Sequence, residues 1–318
     1  MINYIFELKS AYVENKKEGG SDFYNRWMAH KLQHSLKVLK TLIDIARTEE
    51  AFDEVSSEVL EEFAHGAVLH DMSRAWEMPF NAKDISEKEF NYHGIRSAFF
   101  AHYCMGEHRL NVLIPALMHQ FHNSDLMLKG EMAIANIESD LGDGEKSFLI
   151  EMSEKYNALS INEREILDLG IALIRDADKI TNLLEVEKML KLSNFAAKKE
   201  AKISTTVKEQ LLNAPYVKYS DLQSYADEAC AYMAFVKTLH FPSSRIKIVE
   251  CDVLAYIKNY ALTQYLKDGF THKDLEEIKQ IFNEGIDKIE EFLPEDIEEV
   301  KSVANLDDLF EDYVARNS

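Results

Sequence analysis

The stretch DFYNRWMAHKLQHSLKVLKTLIDIAR, residues 22–47, sets Trp27, Met28, Leu32, Leu39, Leu42, Ile43 and Ala46 at helical spacing. Lys31, Lys37, Lys40 and Asp44 fall largely outside that stripe, which is the pattern of a long amphipathic helix with one buried side. His34 rides near the buried side. The same three- and four-residue recurrence runs through most of the chain, and only 11 glycines and 5 prolines interrupt 318 residues. So little punctuation, with so regular a period, predicts an all-α fold.

Working outward, SSEVLEEFAHGAVLHD (residues 56–71) predicts a second helix, capped by Ser56 or Ser57 and buried through Leu60, Phe63, Ala67 and Val68. His70 and Asp71 close it. Residues 72–92, with Pro79 and mixed polarity, read as a loop bordering whatever that pair faces. Further helices are predicted over 91–106, 111–122, 125–139, 145–157, 162–192, 220–238, 245–267, 272–291 and 296–313, with Asn111 as a candidate cap and Pro115 near the first turn. The pattern breaks over 196–220, around Pro215. Residues 1–195 therefore read as one unit, and 196–318 as a C-terminal helical extension packed on it.

Composition narrows the function classes. Lys and Arg total 36 against 56 Asp and Glu, a net charge of −20, with acidic stretches such as DKIEEFLPEDIEE near the end. A surface this acidic repels nucleic-acid backbones and anionic membranes, so neither is expected as an extended partner. A small phosphorylated substrate is compatible, because local positive charge in a pocket overrides the global field. The start, MINYIFELKSAYVENKKEGG, lacks the basic, apolar and small-residue segments of a signal peptide. No later apolar run is long enough to span a bilayer, so a cytoplasmic location is expected. Cys104, Cys230 and Cys251 have no CxxC spacing and are expected as buried or inert reduced thiols. No motif speaks to oligomeric state.

Polar residues of one chemical kind recur on the helical segments: His34, the adjacent His70 and Asp71, His93, His119, His122, and Asp178 in RDADKITNL. Imidazole nitrogens and carboxylate oxygens without thiolates suit a divalent transition metal such as Mn, Fe, Co, Ni or Zn, with Mg also accommodated. Asp176, two residues from Asp178, falls on a different helix face and is expected to pair with Arg175, Lys179 or solvent.

In their order, HSLKV, AVLHDMSR, YHGIRSA, IPALMHQFHN and RDADKITNL resemble the segments of the HD-domain metal-dependent phosphohydrolases, over roughly residues 30–190. The resemblance implies an HD-type helical bundle with additional C-terminal helices. It implies that His34, His70, Asp71 and Asp178 hold one metal, that Asp71 bridges to a second, and that His93 and His119 ligate that second ion. His122, one turn beyond His119, would complete it or touch substrate. Arg74 would grip a phosphate bidentately, and Lys179 would do so as a point charge.

The implied activity is hydrolysis of a nucleotide or other small phosphate ester by metal-activated water, with Asp71 and Arg74 at the reacting centre. Relatives that oxidise small polyols or phosphonates at two irons carry the same ligand set, and a non-catalytic metal- or nucleotide-binding module is the third reading. The chain departs from the family pattern at Met72-Ser73, where a glycine commonly precedes the basic residue.

Overall fold

The computed structural model describes residues 22–77, 92–121, 141–191 and 200–293, together with residues 9 and 127. Among the described residues every regular element is a helix, as the periodicity requires. Helix α1 spans Asp22–Thr48 and buries Lys31, His34, Ser35, Val38, Leu39, Leu42 and Ile45, an unbroken i, i+3, i+4, i+7 stripe. Lys31 thus lies on the buried face, although its charge places it outside the apolar stripe of the sequence.

Helix α2 (Ser57–Leu69) starts at Ser56, whose Oγ accepts the Val59 amide at 3.3 Å. It is buried from Phe63 to Leu69 and ends at His70, so the turn carrying His70 and Asp71 is delivered into the core. The expected loop begins instead with the short helix α3 (Arg74–Glu77), and residues 78–91 lie outside the described residues.

Helix α4 (His93–Met105) closes on Gly106 in the left-handed region, φ 71°. Helix α5 (Leu110–Met118) has Arg109, not Asn111, as its N-cap, and Asn111 Nδ2 donates to Glu62 Oε2 at 2.7 Å. Pro115 sits inside α5 and forfeits a bond to the carbonyl one turn back. The helix expected over 125–139 falls outside the described residues except for Met127.

Helices α6 (Asp143–Ala158), α7 (Ile161–Leu184) and α8 (Val186–Lys191) follow. Ser160 and Glu163 form a reciprocal capping box on α7. The sequence predicts one helix over 162–192, but it breaks at Glu185. Helix α7 packs against α1 and α5, α2 against α1 and α5, and α4 against α5.

Helix α9 (Thr205–Asn213) occupies a stretch that reads as a break, capped by Ser204 Oγ on Val207. Helix α10 (Tyr225–Ala234) is buried at every residue, with α8, α9, α12 (Val253–Lys267) and α13 (Glu276–Glu290) packed around it. Helix α11 (Pro242–Glu250) packs against α1 and α7. The predicted helix 245–267 is two helices, broken at Cys251-Asp252 where Asp252 takes φ 48°. The segment 296–313 lies outside the described residues.

Asp176 joins the later helices to α7. Its fully buried carboxylate accepts the His240 amide (2.8 and 3.0 Å) and the Phe241 amide (2.9 Å), immediately before Pro242 starts α11. Its hydrogen bonds thus go to backbone amides, while the expected Arg175 and Lys179 charges act on it electrostatically. Of the cysteines, all free, Cys230 is buried as expected, while Cys104 and Cys251 are exposed. No described helix is long and apolar enough to cross a membrane.

Candidate metal centre

Three local features bring the site together. The end of α2 carries His70 and Asp71 into the core, His34 projects from the middle of α1, and Asp178 lies half-buried in the C-terminal half of α7, between the buried Ala177 and Lys179. The close approach of α4 to the end of α5 supplies His93 and His119. Only glycine fits at position 94, since a Cβ there would stand 2.8 Å from the Leu117 carbonyl oxygen and 3.0 Å from His119 Cε1.

Among the described residues, two overlapping groups have ligand atoms mutually within 4.8 Å: His34, His70 and Asp71, and His70, His119 and Asp178. His34 Nε2 donates to Asp178 Oδ1 at 2.9 Å and lies 4.0 Å from Asp71 Oδ2. His70 Nε2 is 3.9 Å from Asp71 Oδ2 and 3.6 Å from Asp178 Oδ1. Nδ1 of His70 donates to the Ala67 carbonyl at 2.6 Å, so the Nε2 of a neutral ring presents a lone pair toward those carboxylates. That nitrogen is buried and has no hydrogen-bond partner. A buried lone pair aimed at two carboxylates is repulsive until a cation stands between them, so the donor set fits a divalent ion.

The protonation pattern agrees. Burial works against ionisation of both carboxylates, yet the charges of Lys31 and Arg74 help hold Asp71 well below the usual range, and the hydrogen bond from His34 helps hold Asp178 there. Burial also opposes a charged His34, but the Asp178 and Glu185 carboxylates outweigh it and raise its pKa. A proton on His34 Nε2 therefore occupies a coordination position that a metal would take. Burial pulls His119 down to about 4, and burial together with the Arg74 charge pulls His93 well below 6.5, so both rings are neutral.

Two residues of the site are not marked by any motif in the sequence. Lys31, three residues before His34 and so on the same face of α1, donates from Nζ to Asp71 Oδ2 at 2.6 Å. Glu185, two helical turns beyond Asp178, places Oε2 3.9 Å from His34 Nδ1 and is held by Lys37 and by Lys188 at 2.7 Å. At 3.9 Å the carboxylate acts on the His34 ring through its charge and not through a hydrogen bond. Helical spacing from the candidate ligands is the signal that points to both.

Ser73, which stands where the family pattern has glycine, has a structural task. Its amide donates to Ser97 Oγ at 2.9 Å and its Oγ donates to the His93 carbonyl at 3.0 Å, tying the turn after Asp71 to the start of α4. No positive φ calls for glycine there. Arg74 is buried beside Asp71, its Nε 3.6 Å from Oδ1 and its Nη2 3.0 Å from His93 Nδ1. His122 lies outside the described residues.

No family model, curated protein or solved structure matches the chain. A function is therefore assigned on the residues and their geometry.

Lys179 is neither solvated nor turned to the His-Asp cluster. It is 8% exposed, and its Nζ donates to Thr238 Oγ1 at 2.6 Å beside the Phe235 ring. Burial lowers its pKa from the ordinary lysine value to about 7. Between pH 7 and the unfolded value of about 10.5 the unfolded chain binds a proton that the folded chain does not, so stability rises with pH across that window. Lys179→Met removes this titration. Urea unfolding at several pH values should show wild type gaining on the variant by up to about 1.4 kcal/mol per pH unit above pH 7, and a constant difference would contradict the assignment.

Proposed function

We propose that this chain is a cytoplasmic HD-type metal-dependent phosphohydrolase acting on a nucleotide or other small phosphate ester. The observation that carries the reading is that the ligand atoms of His70 converge within 4.8 Å with His34 and Asp71 in one group and with His119 and Asp178 in another, with the Arg74 guanidinium beside Asp71. His34, His70, Asp71 and Asp178 would hold the ion. A divalent cation there supplies Lewis acidity, which lowers the pKa of water and offsets charge developing on phosphoryl oxygens.

The chain's own groups do the rest. Ala67 fixes the His70 tautomer, so that donor is set before the ion arrives. Lys31 offsets part of the charge on Asp71. Arg74, a planar fork of donors, suits a phosphate's paired oxygens and would hold the substrate against the centre.

Manganese-loaded protein should hydrolyse members of a phosphate-ester and nucleotide panel. Iron-loaded protein that instead consumes O₂ with a polyol or phosphonate, and is inert toward the panel, would transfer the site to the oxygenase class. Inertness in both assays with metal bound would leave a binding module.

A further inference from the structure

The second pair of histidines carries a feature that metal ligation alone does not explain. Arg74 has only donors, so its Nη2 contact at 3.0 Å makes His93 Nδ1 an acceptor. A neutral His93 then carries its proton on Nε2, which points at His119 Nε2, 3.1 Å away. His119 Nδ1 in turn donates to the Ala116 carbonyl at 2.7 Å, so His119 Nε2 is the acceptor that this proton needs. The chain of bonds from Arg74 through both rings to Ala116 runs in one direction, with every role filled. Flipping either ring would replace a nitrogen by carbon at two of these contacts.

In this arrangement His93 Nε2, 3.5 Å from Asp71 Oδ1, has no lone pair to offer. To ligate there, the ring must move its proton to Nδ1, against an arginine donor. His93 also belongs to neither of the ligand groups that converge within 4.8 Å among the described residues, whereas His119 joins His70 and Asp178.

We propose that the centre takes one ion by default and that Arg74 latches the second site shut by fixing His93 in the non-ligating tautomer, until an oxyanion draws the guanidinium away. This rests on the metal-dependent reading of the site and specifies its metal count and its coupling to substrate. An anion that engages Arg74 bidentately would free His93 Nδ1 to take the proton and Nε2 to take a metal, so substrate and second ion would bind cooperatively.

Two measurements on the full-length chain test it. Long-range ¹⁵N NMR of the metal-free protein, with His93 assigned through His93→Gln, should show Nε2 protonated and Nδ1 bare. A proton on Nδ1 overturns the latch without any variant at position 74. Manganese titrations should give one tight ion per chain in wild type. Arg74→Leu, or inorganic phosphate added to wild type, should tighten a second ion by roughly 10- to 100-fold, the scale of a lost charge-assisted hydrogen bond. Two equivalent ions in wild type, or one ion in wild type and Arg74→Leu alike, overturn the latch alone. No tight ion in any sample overturns the metal-dependent reading and the latch with it.

Discussion

Asp71→Ala is expected to weaken metal binding by at least roughly 100-fold and to reduce phosphate-ester hydrolysis to background. Asp71 is the carboxylate on which Lys31, Arg74, His34, His70 and His93 all converge, so its loss removes a ligand and leaves an excess of buried positive charge. Removing one partner of a buried ion pair typically costs about 3–5 kcal/mol, so the variant should also be less stable. The two effects are separable. Lys31→Met combined with Asp71→Ala should recover much of the stability in urea unfolding while the metal stays lost in equilibrium dialysis. Recovery of metal binding in the double variant would show that Asp71 acts as the counter-ion of Lys31 and not as a ligand.

Asp176→Ala should cost about 3 kcal/mol with no direct loss of a ligand. The carboxylate accepts two backbone amides at the entry to α11, where Pro242 and the apolar Phe241 supply no cap of their own. Removing it strands the Phe241 amide in the core and loosens α11 from α7. For a chain of this size the melting temperature should fall by roughly 6–12 °C, and hydrogen exchange should rise first in α11. Metal affinity per folded molecule should be nearly unchanged. A stability within about 0.5 kcal/mol of wild type would show that the two helices are held together by apolar packing alone.

These two aspartates also mark where the sequence is legible. Asp71 can be singled out because it follows His70 at the end of an apolar helix, in order with other potential ligands. Asp176 looks like a surface group, since its partners are backbone amides 64 and 65 residues away and no side-chain pattern announces them. The all-α class and the cap at Ser56 can be read because periodicity and capping are local. The break at Asp252 is not legible, because no glycine or proline marks it and an aspartate takes φ 48° there. Lys31 and Glu185 are hidden for a related reason. A charged residue reads as solvated until the opposite charge arrives from another helix, Asp71 from α2 for Lys31 and Lys37 from α1 for Glu185.

Metal analysis of the full chain purified without added metal, repeated after incubation with Mn or Fe and removal of excess, tests the central claim most directly. The account predicts about one tightly held ion per chain after loading, displaced as pH falls and His34 is protonated. Fewer than about 0.2 ions per chain, not restored by either metal, would contradict it, because converging imidazoles and carboxylates of this kind hold such ions firmly.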